Sequence, residues 1–282
     1  MSARPLPAPR GAAFVAVLSL LLVLCAAMIG GFARQIELRR HRAGESTQQS
    51  LGRARDALLS WYGANLAQLD GPAGFPLAGQ DALQRAGVAV RPLPQFAAGP
   101  LLEAPPIRYR PLAVWLGGAP GASGFDAFGQ FAPPPGATAF LVFSSRALEE
   151  DALARTRERL ARLVRVFEAR FAAKVEQDPD HRLDRNWFRA PDGECRSGED
   201  QLPCASELSA DGWPTVSALR AQSLVFASPA DDGSPELSAW GLPLCWNNED
   251  DPAGNVAPPF SMAFSTLTPW GERLLVRAVQ PL

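Results

Sequence analysis

Residues 12–31 read AAFVAVLSLLLVLCAAMIGG, a run of twenty residues with no charge and a single hydroxyl, that of Ser19. As a helix, twenty residues span about 30 Å, the thickness of the hydrocarbon core of a bilayer. A buried helix of a soluble protein explains such a run poorly when it follows directly on a short basic leader. The stretch therefore predicts a membrane-spanning helix, which we assign to residues 12–33 after a leader of residues 1–11.

Three fates of this segment are possible in principle. A lipoprotein signal is excluded because Cys25 follows Leu24, whereas lipoprotein processing requires a small residue before the cysteine. A secretory cleavage site would have to use Gly31 with Ala33, or Cys25 with Ala27, and either pair is a weak match. The apolar run is also longer than the usual ~7–15-residue core of a signal peptide. We therefore expect a retained anchor.

Basic residues flank the predicted span on both sides: Arg4 and Arg10 before it, and Arg34, Arg39, Arg40 and Arg42 after it. Arginines in this position are typical of a membrane helix whose ends contact lipid headgroups, an interpretation that we prefer to a nucleic-acid site. Taken alone, the positive-inside rule slightly opposes export of the C-terminal part.

The cysteines favour the opposite orientation. Cys195 and Cys204 lie close together in a polar loop, and Cys245 lies in the same distal region, as expected for oxidisable pairs outside the cytoplasm. We predict a disulfide between Cys195 and Cys204, with Cys204–Cys245 as the alternative. The opposing interpretation is three unpaired thiols in a cytoplasmic domain. We expect the C-terminal part to be periplasmic or extracellular.

Residues 34–70 form a predicted stem helix. Proline is absent from residues 34–68, and the helix is expected to end near Asp70-Gly71-Pro72. An apolar stripe at helical spacing makes the stem amphipathic: Leu51, Ala54, Leu58, Trp61 or Tyr62, and Leu66.

Residues 71–282 predict an α+β head, extracytoplasmic in this orientation, with antiparallel strands and one further long helix. Its strands are expected at residues 107–116, 137–143, 223–227, 242–246, 260–267 and 273–279, with a hairpin turn at 268–272. The helix is expected over residues 146–175, with Glu149 on its polar side. We expect its apolar stripe to pack on the head's own sheet rather than in a coiled coil: Leu153, Leu160, Leu163, Val164, Phe167 and Phe171.

Nothing in the composition points to an enzyme. Hydrophobic residues make up 47% of the chain and charged residues 20%, which excludes a disordered chain and a polytopic membrane protein. The net charge of −2 favours no binding to nucleic acid. Two histidines, His41 and His181, supply little material for a triad or a zinc site, and Ser144-Ser145 lacks a Gly-x-Ser-x-Gly context. We expect no catalytic residue.

Two distal loops are acidic, one over residues 176–211 and one over residues 231–251. Oxygen-rich loops can bind Ca²⁺, which takes about 6–8 oxygen ligands. The densest supply here is Asn247, Asn248, Glu249, Asp250 and Asp251. Because neither loop has the EF-hand spacing, we prefer solvated surface loops without a cofactor and keep Ca²⁺ at residues 247–251 as the alternative.

The order of these segments is informative. A short basic leader ending in Gly11, an apolar run directly after it, an amphipathic stem and an α/β head together resemble type IV pilins and the pseudopilins of type II secretion. The segment from Gly52 to Tyr62 is similar to the stretch where minor pilins leave the membrane and join the head. Trp240-Gly241 and Trp270-Gly271 are similar to the Pro-Trp-Gly turns of pseudopilins.

The resemblance covers about residues 4–66 and implies cleavage by a prepilin peptidase between Gly11 and Ala12. Two positions depart from the family pattern. Ala12 replaces the usual phenylalanine, and Ala16 replaces the acidic residue at the fifth mature position. The missing acid argues against a major subunit and is compatible with a minor, K-type or minor-pilin-like component.

The expected function is therefore a structural or assembly role in a type IV pilus or a type II secretion-like filament. The expected location is the inner membrane, crossed once, and the expected partners are other pilin-like subunits and the prepilin peptidase, without nucleic acid. A signal-anchored periplasmic domain that binds a ligand or partner is the alternative. An anchored hydrolase is the third reading, which lacks a nucleophile–base pair.

Overall fold

A computed structural model describes residues 44–118, 124–188, 216, 236–247 and 257–281 of the 282-residue chain. The predicted span 12–33 and the predicted strand 223–227 lie outside these residues. Within the described part, no helix is long and apolar enough to cross a membrane. The chain divides into two compact units, Met1–Arg53 and Ala54–Leu282.

The described part of the first unit, residues 44–53, is helical. It belongs to helix α1, which covers residues 44–63. After a turn at residues 64–65, one further helical turn, α2 (Leu66–Leu69), ends at Asp70. Helical structure thus ends where the sequence predicts the end of the stem, but the turn at residues 64–65 interrupts the single helix predicted over this stretch. The predicted stripe is buried, with Tyr62 rather than Trp61 as its aromatic member: Leu51, Ala54, Leu58, Tyr62 and Leu66.

The first sheet of the second unit is antiparallel, with strand order β1 (Gln95–Ala98), β4 (Pro111–Gly117), β7 (Ala137–Ser144). The central strand β4 is buried from Pro111 to Leu116, as expected for a strand covered on both faces. The short helix α3 (Gly79–Arg85) precedes the sheet.

Two small hairpins complete the proline-rich region. Strands β2 (Leu102–Ala104) and β3 (Ile107–Tyr109) form the first, and β5 (Gly124–Phe125) and β6 (Phe131–Ala132) form the second. The prediction of one strand over residues 107–116 is wrong, because Arg110 separates β3 from β4. Its backbone N–H and C=O both bond to Ser145 instead of continuing a ladder.

Helix α4 (Arg146–Gln177) and the second sheet form a hydrophobic core. The sheet is antiparallel, with strand order β10 (Arg273–Val279), β9 (Ser261–Leu267), β8 (Cys245–Asn247). The ring centroids of Phe167 on α4 and Phe264 on β9 lie 5.1 Å apart. The stripe of α4 thus packs on the head's own sheet, as predicted.

The fold class of the described residues is α+β with antiparallel sheets and a long helix, as the sequence predicts. The strands predicted over residues 137–143, 260–267 and 273–279 are confirmed as β7, β9 and β10. The turn predicted at residues 268–272 is confirmed by the backbone bond from Thr268 N to Glu272 O, at 2.7 Å.

Candidate functional site

The sequence-predicted site residues lie mostly outside the described part of the chain. This holds for the processing residues Gly11 and Ala12, for the predicted disulfide partners Cys195 and Cys204, and for four of the five Ca²⁺ candidates, Asn248, Glu249, Asp250 and Asp251. Asn247 is the last residue of β8. Processing, the disulfide and Ca²⁺ binding stay predictions.

Two further observations concern cysteines and metals. Cys245 is buried in β8, and its Sγ lies 3.9 Å from the carbonyl oxygen of Pro243. Among the residues that the structure describes, no group of three or more His, Cys, Asp or Glu side chains is placed to hold a metal ion. We therefore turn to the other buried polar side chains of the described residues.

Among the described residues, a group of buried polar side chains lies where the stem joins the head. We call it the junction cluster, and each member comes from a different element or loop. None is more than 5% exposed. Its members are Tyr62 in α1, Asp70 after α2, Arg110 before β4, Ser145 before α4, Glu149 in the first turn of α4, and Trp240 in the loop before β8.

Asp70 is the centre of the junction cluster. The Tyr62 hydroxyl donates to Asp70 Oδ1 at 2.6 Å, and the Ser145 hydroxyl donates to Asp70 Oδ2 at 3.1 Å. Arg110 Nε lies 3.5 Å from Asp70 Oδ1. A buried carboxylate is tolerated only when it is paired and hydrogen-bonded, and Asp70 meets both conditions.

Arg110 connects the backbone of two separate segments. Its Nε donates to Leu69 O at 2.9 Å, and its terminal nitrogens donate to Gly71 O at 2.7 Å and to Gly99 O at 3.1 Å. The planar guanidinium presents several donors in a fixed geometry, so that one side chain can satisfy three carbonyls. Arg110 therefore joins the end of the stem to the chain leaving β1.

Glu149 holds a proton in the folded protein. Burial and the neighbouring Asp70 together raise the pKa of Glu149 to about 9, against the hydrogen bond from Trp240 Nε1, at 2.7 Å, which lowers it. Glu149 Oε1 accepts no hydrogen bond. Once protonated, Glu149 donates to Asp70, and that donation satisfies the buried oxygen.

The pKa of Asp70 is also raised by burial, but hydrogen bonds from Glu149 and Tyr62 and the charge of Arg110 lower it. We therefore assign the negative charge to Asp70 and the proton to Glu149, because only Asp70 faces the guanidinium. The pKa of Tyr62 is raised by burial and by the charge of Asp70, so this hydroxyl stays a donor. The cluster thus contains one buried ion pair and one neutral acid.

The prediction that Glu149 lies on the polar side of its helix is wrong. Position 149 is one helical turn before Leu153, so it belongs to the same face as the apolar stripe, and Thr156 follows on that face and is also buried. The sequence contains one indication of this burial, namely that a glutamate stands at a position of the apolar stripe. Its burial depends on Trp240, which is 91 residues away in the sequence.

Two turns of the same design lie beside the junction cluster. In the first, Gly241 N donates to Ser238 O at 3.0 Å and Leu242 N donates to the Ser238 hydroxyl at 3.1 Å. In the second, Gly271 N donates to Thr268 O at 3.0 Å and Glu272 N donates to the Thr268 hydroxyl at 2.9 Å. The shared pattern is Leu-(Ser or Thr)-x-Trp-Gly, at residues 237–241 and 267–271.

Both turns need glycine, because Gly241 and Gly271 have φ values of 77° and 87°, in the left-handed region. Their tryptophan rings, Trp240 and Trp270, pack edge to face with centroids 5.9 Å apart. The sequence indicates a similarity between the two turns, because the same motif occurs twice, thirty residues apart. In each copy a serine or threonine stands two residues before the tryptophan. The first turn contacts the junction cluster through Trp240, which donates to Glu149, and Trp270 of the second turn packs on Trp240.

A shallow depression of about 480 Å³ lies on the other side of Gly99. Phe75, Pro100 and Phe125 line it, together with Asp126. Oδ1 of Asp126 accepts hydrogen bonds from the backbone of Phe128 and Gln130. Both hydrogen bonds come from the carboxylate's own loop, so Asp126 holds that loop in its turn.

The side chains of the junction cluster are closed off from solvent. Its carboxyl pair is chemically capable of proton transfer, but a substrate cannot reach side chains that are at most 5% exposed. What the arrangement can do is fix the end of the stem to the head. Comparison with family models, with characterised proteins and with solved structures finds no match for this chain.

Proposed function

We propose that this protein is a non-catalytic, pilin-like subunit with a structural or assembly role in a type IV pilus or a type II secretion-like filament. In this proposal residues 12–33 anchor the chain in the inner membrane and the head lies outside the cytoplasm. Other pilin-like subunits and the prepilin peptidase are its partners, and the missing acid at Ala16 makes it a minor component.

The observation that carries the proposal is the junction cluster. A subunit whose helix packs among neighbours must transmit that position to its head, and a flexible connection cannot do so. Here the stem face from Ala54 to Leu69 is buried, and Asp70 at its end is held by Ser145 and Arg110 from the head as well as by Tyr62 of the stem. A domain on a simple tether has no need of a buried ion pair at the point of attachment.

The alternative, a tethered periplasmic binding domain, draws support from the shallow depression beside Gly99. That surface offers the aromatic rings of Phe75 and Phe125 and one carboxylate, Asp126. These groups suit a small apolar or cationic ligand. The alternative predicts that the stem can be replaced by a flexible linker without loss of function, whereas the pilin-like proposal predicts that it cannot.

N-terminal sequencing of the membrane-bound protein from its own cells tests the proposal. We expect the mature chain to begin at Ala12. Gly11→Leu should block processing and filament incorporation together. The matched control is Ala33→Leu, which changes the secretory cleavage candidate and should leave both intact. A mature chain that begins at Arg34, or an intact leader in the wild-type protein, would refute the pilin-like proposal.

A further inference from the structure

Within the described part of the chain, strand β7 is an edge strand of the first sheet. It hydrogen-bonds with β4 along one side, and within the described residues no other strand pairs with its opposite side. Its eight residues, Ala-Thr-Ala-Phe-Leu-Val-Phe-Ser, contain no charge and no proline. Soluble proteins usually protect such edges with lysine, proline or a bulge, because an unprotected edge is a template for another strand.

The outer face of β7 is apolar as well. Phe140 is 48% exposed and Val142 is 44% exposed, and these residues lie two apart on the same face of the sheet. Phe140 is the cross-strand neighbour of Trp115, and the centroids of Phe140 and Phe131 are 6.0 Å apart. The aromatic surface over the sheet therefore continues to the open edge and ends there.

We propose that the open edge of β7 pairs, antiparallel, with β7 of a second copy of this chain in a register centred on Leu141. A two-fold axis through Leu141 places Phe140 opposite Val142 of the second copy, and Val142 opposite its Phe140. Aromatic and β-branched side chains directly opposite each other are stabilising cross-strand pairs. Thr138 then faces Ser144, so every outward pair is uncharged.

The register follows from the side chains. A slip by one residue would turn the outer face of one copy to the inner side of the other. A slip by two residues places either Val142 opposite Thr138 or Phe140 opposite Ser144. Only the register centred on Leu141 gives both exposed apolar residues apolar partners.

The occupant is a second copy because the edge is complementary to itself. A partner strand must cover Phe140 and Val142 without burying an unpaired charge, so it must be uncharged and carry apolar residues at alternate positions. Strand β7 itself has this composition. When β7 pairs with itself, no like charges lie opposite each other across the two strands. The result is one continuous sheet of six strands, three from each copy.

Cysteine cross-linking of the full chain, in the fraction where it accumulates in cells, tests the proposal. Residues directly opposite in antiparallel strands have Cα atoms about 4.5–5.5 Å apart, within disulfide range. Leu141→Cys should therefore give a dimer at least about fivefold above the unsubstituted chain, which retains its native cysteines. Leu275→Cys, at a 41%-exposed position of the edge strand β10, is the matched control and should stay at background.

Two further variants test the register and the contact. Phe140→Cys should cross-link with Val142→Cys when the two chains are co-expressed, and each should cross-link weakly with itself. Adding Val142→Lys to Leu141→Cys should reduce the dimer at least about fivefold, because it places two lysines against apolar partners. Val279→Lys, at a 40%-exposed position of β10, should leave the dimer unchanged.

Three outcomes would overturn the proposal. The first is a Leu141→Cys dimer no stronger than the Leu275→Cys control. The second is a cross-linked product whose mass shows a different protein. The third is a monomer in which position 141 is linked within the chain, as expected if residues 223–227 occupy the edge. Processing at Gly11 is a separate measurement, so this proposal and the proposed function can fail independently.

Discussion

Replacing Glu149 by glutamine should stabilise the folded protein at neutral pH. The pKa of Glu149 is about 9 in the folded state and 4.5 is its ordinary value, so folding takes up a proton between these limits. Because the folded pKa is raised, the contribution of this group is fully favourable below pH 4.5 and is lost as the pH rises towards 9. Each pH unit costs ~1.4 kcal/mol, which gives a penalty on the order of 3 kcal/mol at pH 7.

Glutamine avoids this cost, because its amide is neutral at every pH, accepts from Trp240 and can donate to Asp70. We therefore expect Glu149→Gln to raise the free energy of unfolding by about 1–3 kcal/mol at pH 7.5. At pH 4.5 the difference between the two proteins should largely disappear, since the wild-type glutamate no longer has to take up a proton on folding.

The assay is urea unfolding of the full chain in detergent, followed by tryptophan fluorescence at pH 4.5, 6, 7.5 and 9. Glu150→Gln is the matched control, because Glu150 is the next residue, is exposed and pairs with Arg146 at the surface. Its effect should stay within about 0.5 kcal/mol at every pH. A Glu149→Gln effect that is the same at pH 4.5 and pH 7.5, or a destabilisation at both, would refute the buried proton.

Three other predictions follow from the fold and the cysteines. Arg110→Met should lower the free energy of unfolding by about 3–5 kcal/mol, because it leaves Asp70 buried without its cation; Arg108→Met, at the surface, should cost at most ~1 kcal/mol in the same urea titration. Phe167→Ala should cost about 3–5 kcal/mol in thermal or urea unfolding, and a change below about 0.5 kcal/mol would mean that this part of α4 does not form core. Alkylation under non-reducing denaturation, followed by mass analysis, should show Cys195 and Cys204 unmodified, and finding both alkylated would exclude the disulfide.

Sequence patterns predict the regular elements well and the junction cluster poorly. The stripe of α4, the apolar run Met262–Phe264 in β9 and the alternation in β10 are local, so they can be identified from neighbouring residues alone. The break at Arg110 is different. Its cause is Ser145, 35 residues away, whose hydroxyl accepts the Arg110 N–H. Residues 107–116, which are largely apolar apart from Arg108 and Arg110, therefore predict one strand until that partner is known.

The neighbours of Glu149 in the sequence indicate an exposed position rather than a buried one. Glu149, Glu150 and Asp151 form an acidic run in the first turns of a helix, where solvated acids interact favourably with the helix dipole. That local explanation is sufficient for Glu150 and Asp151, which lie at the surface. It fails for Glu149 because this residue lies one turn before Leu153, the first leucine of the apolar stripe, and therefore on the same face.

The twin Trp-Gly turns show that one motif can specify a backbone without specifying what its side chain does. The two turns share the same hydrogen bonds and the same left-handed glycine, yet their indole N–H groups differ in hydrogen bonding. Trp240 donates to Glu149, whereas Trp270 Nε1 is buried with no acceptor among the described residues. An isosteric ring without the N–H would therefore be tolerated at one turn and costly at the other. Searches that rank positions by motif alone would treat the two tryptophans as equivalent, and in this chain they are interchangeable only in shape.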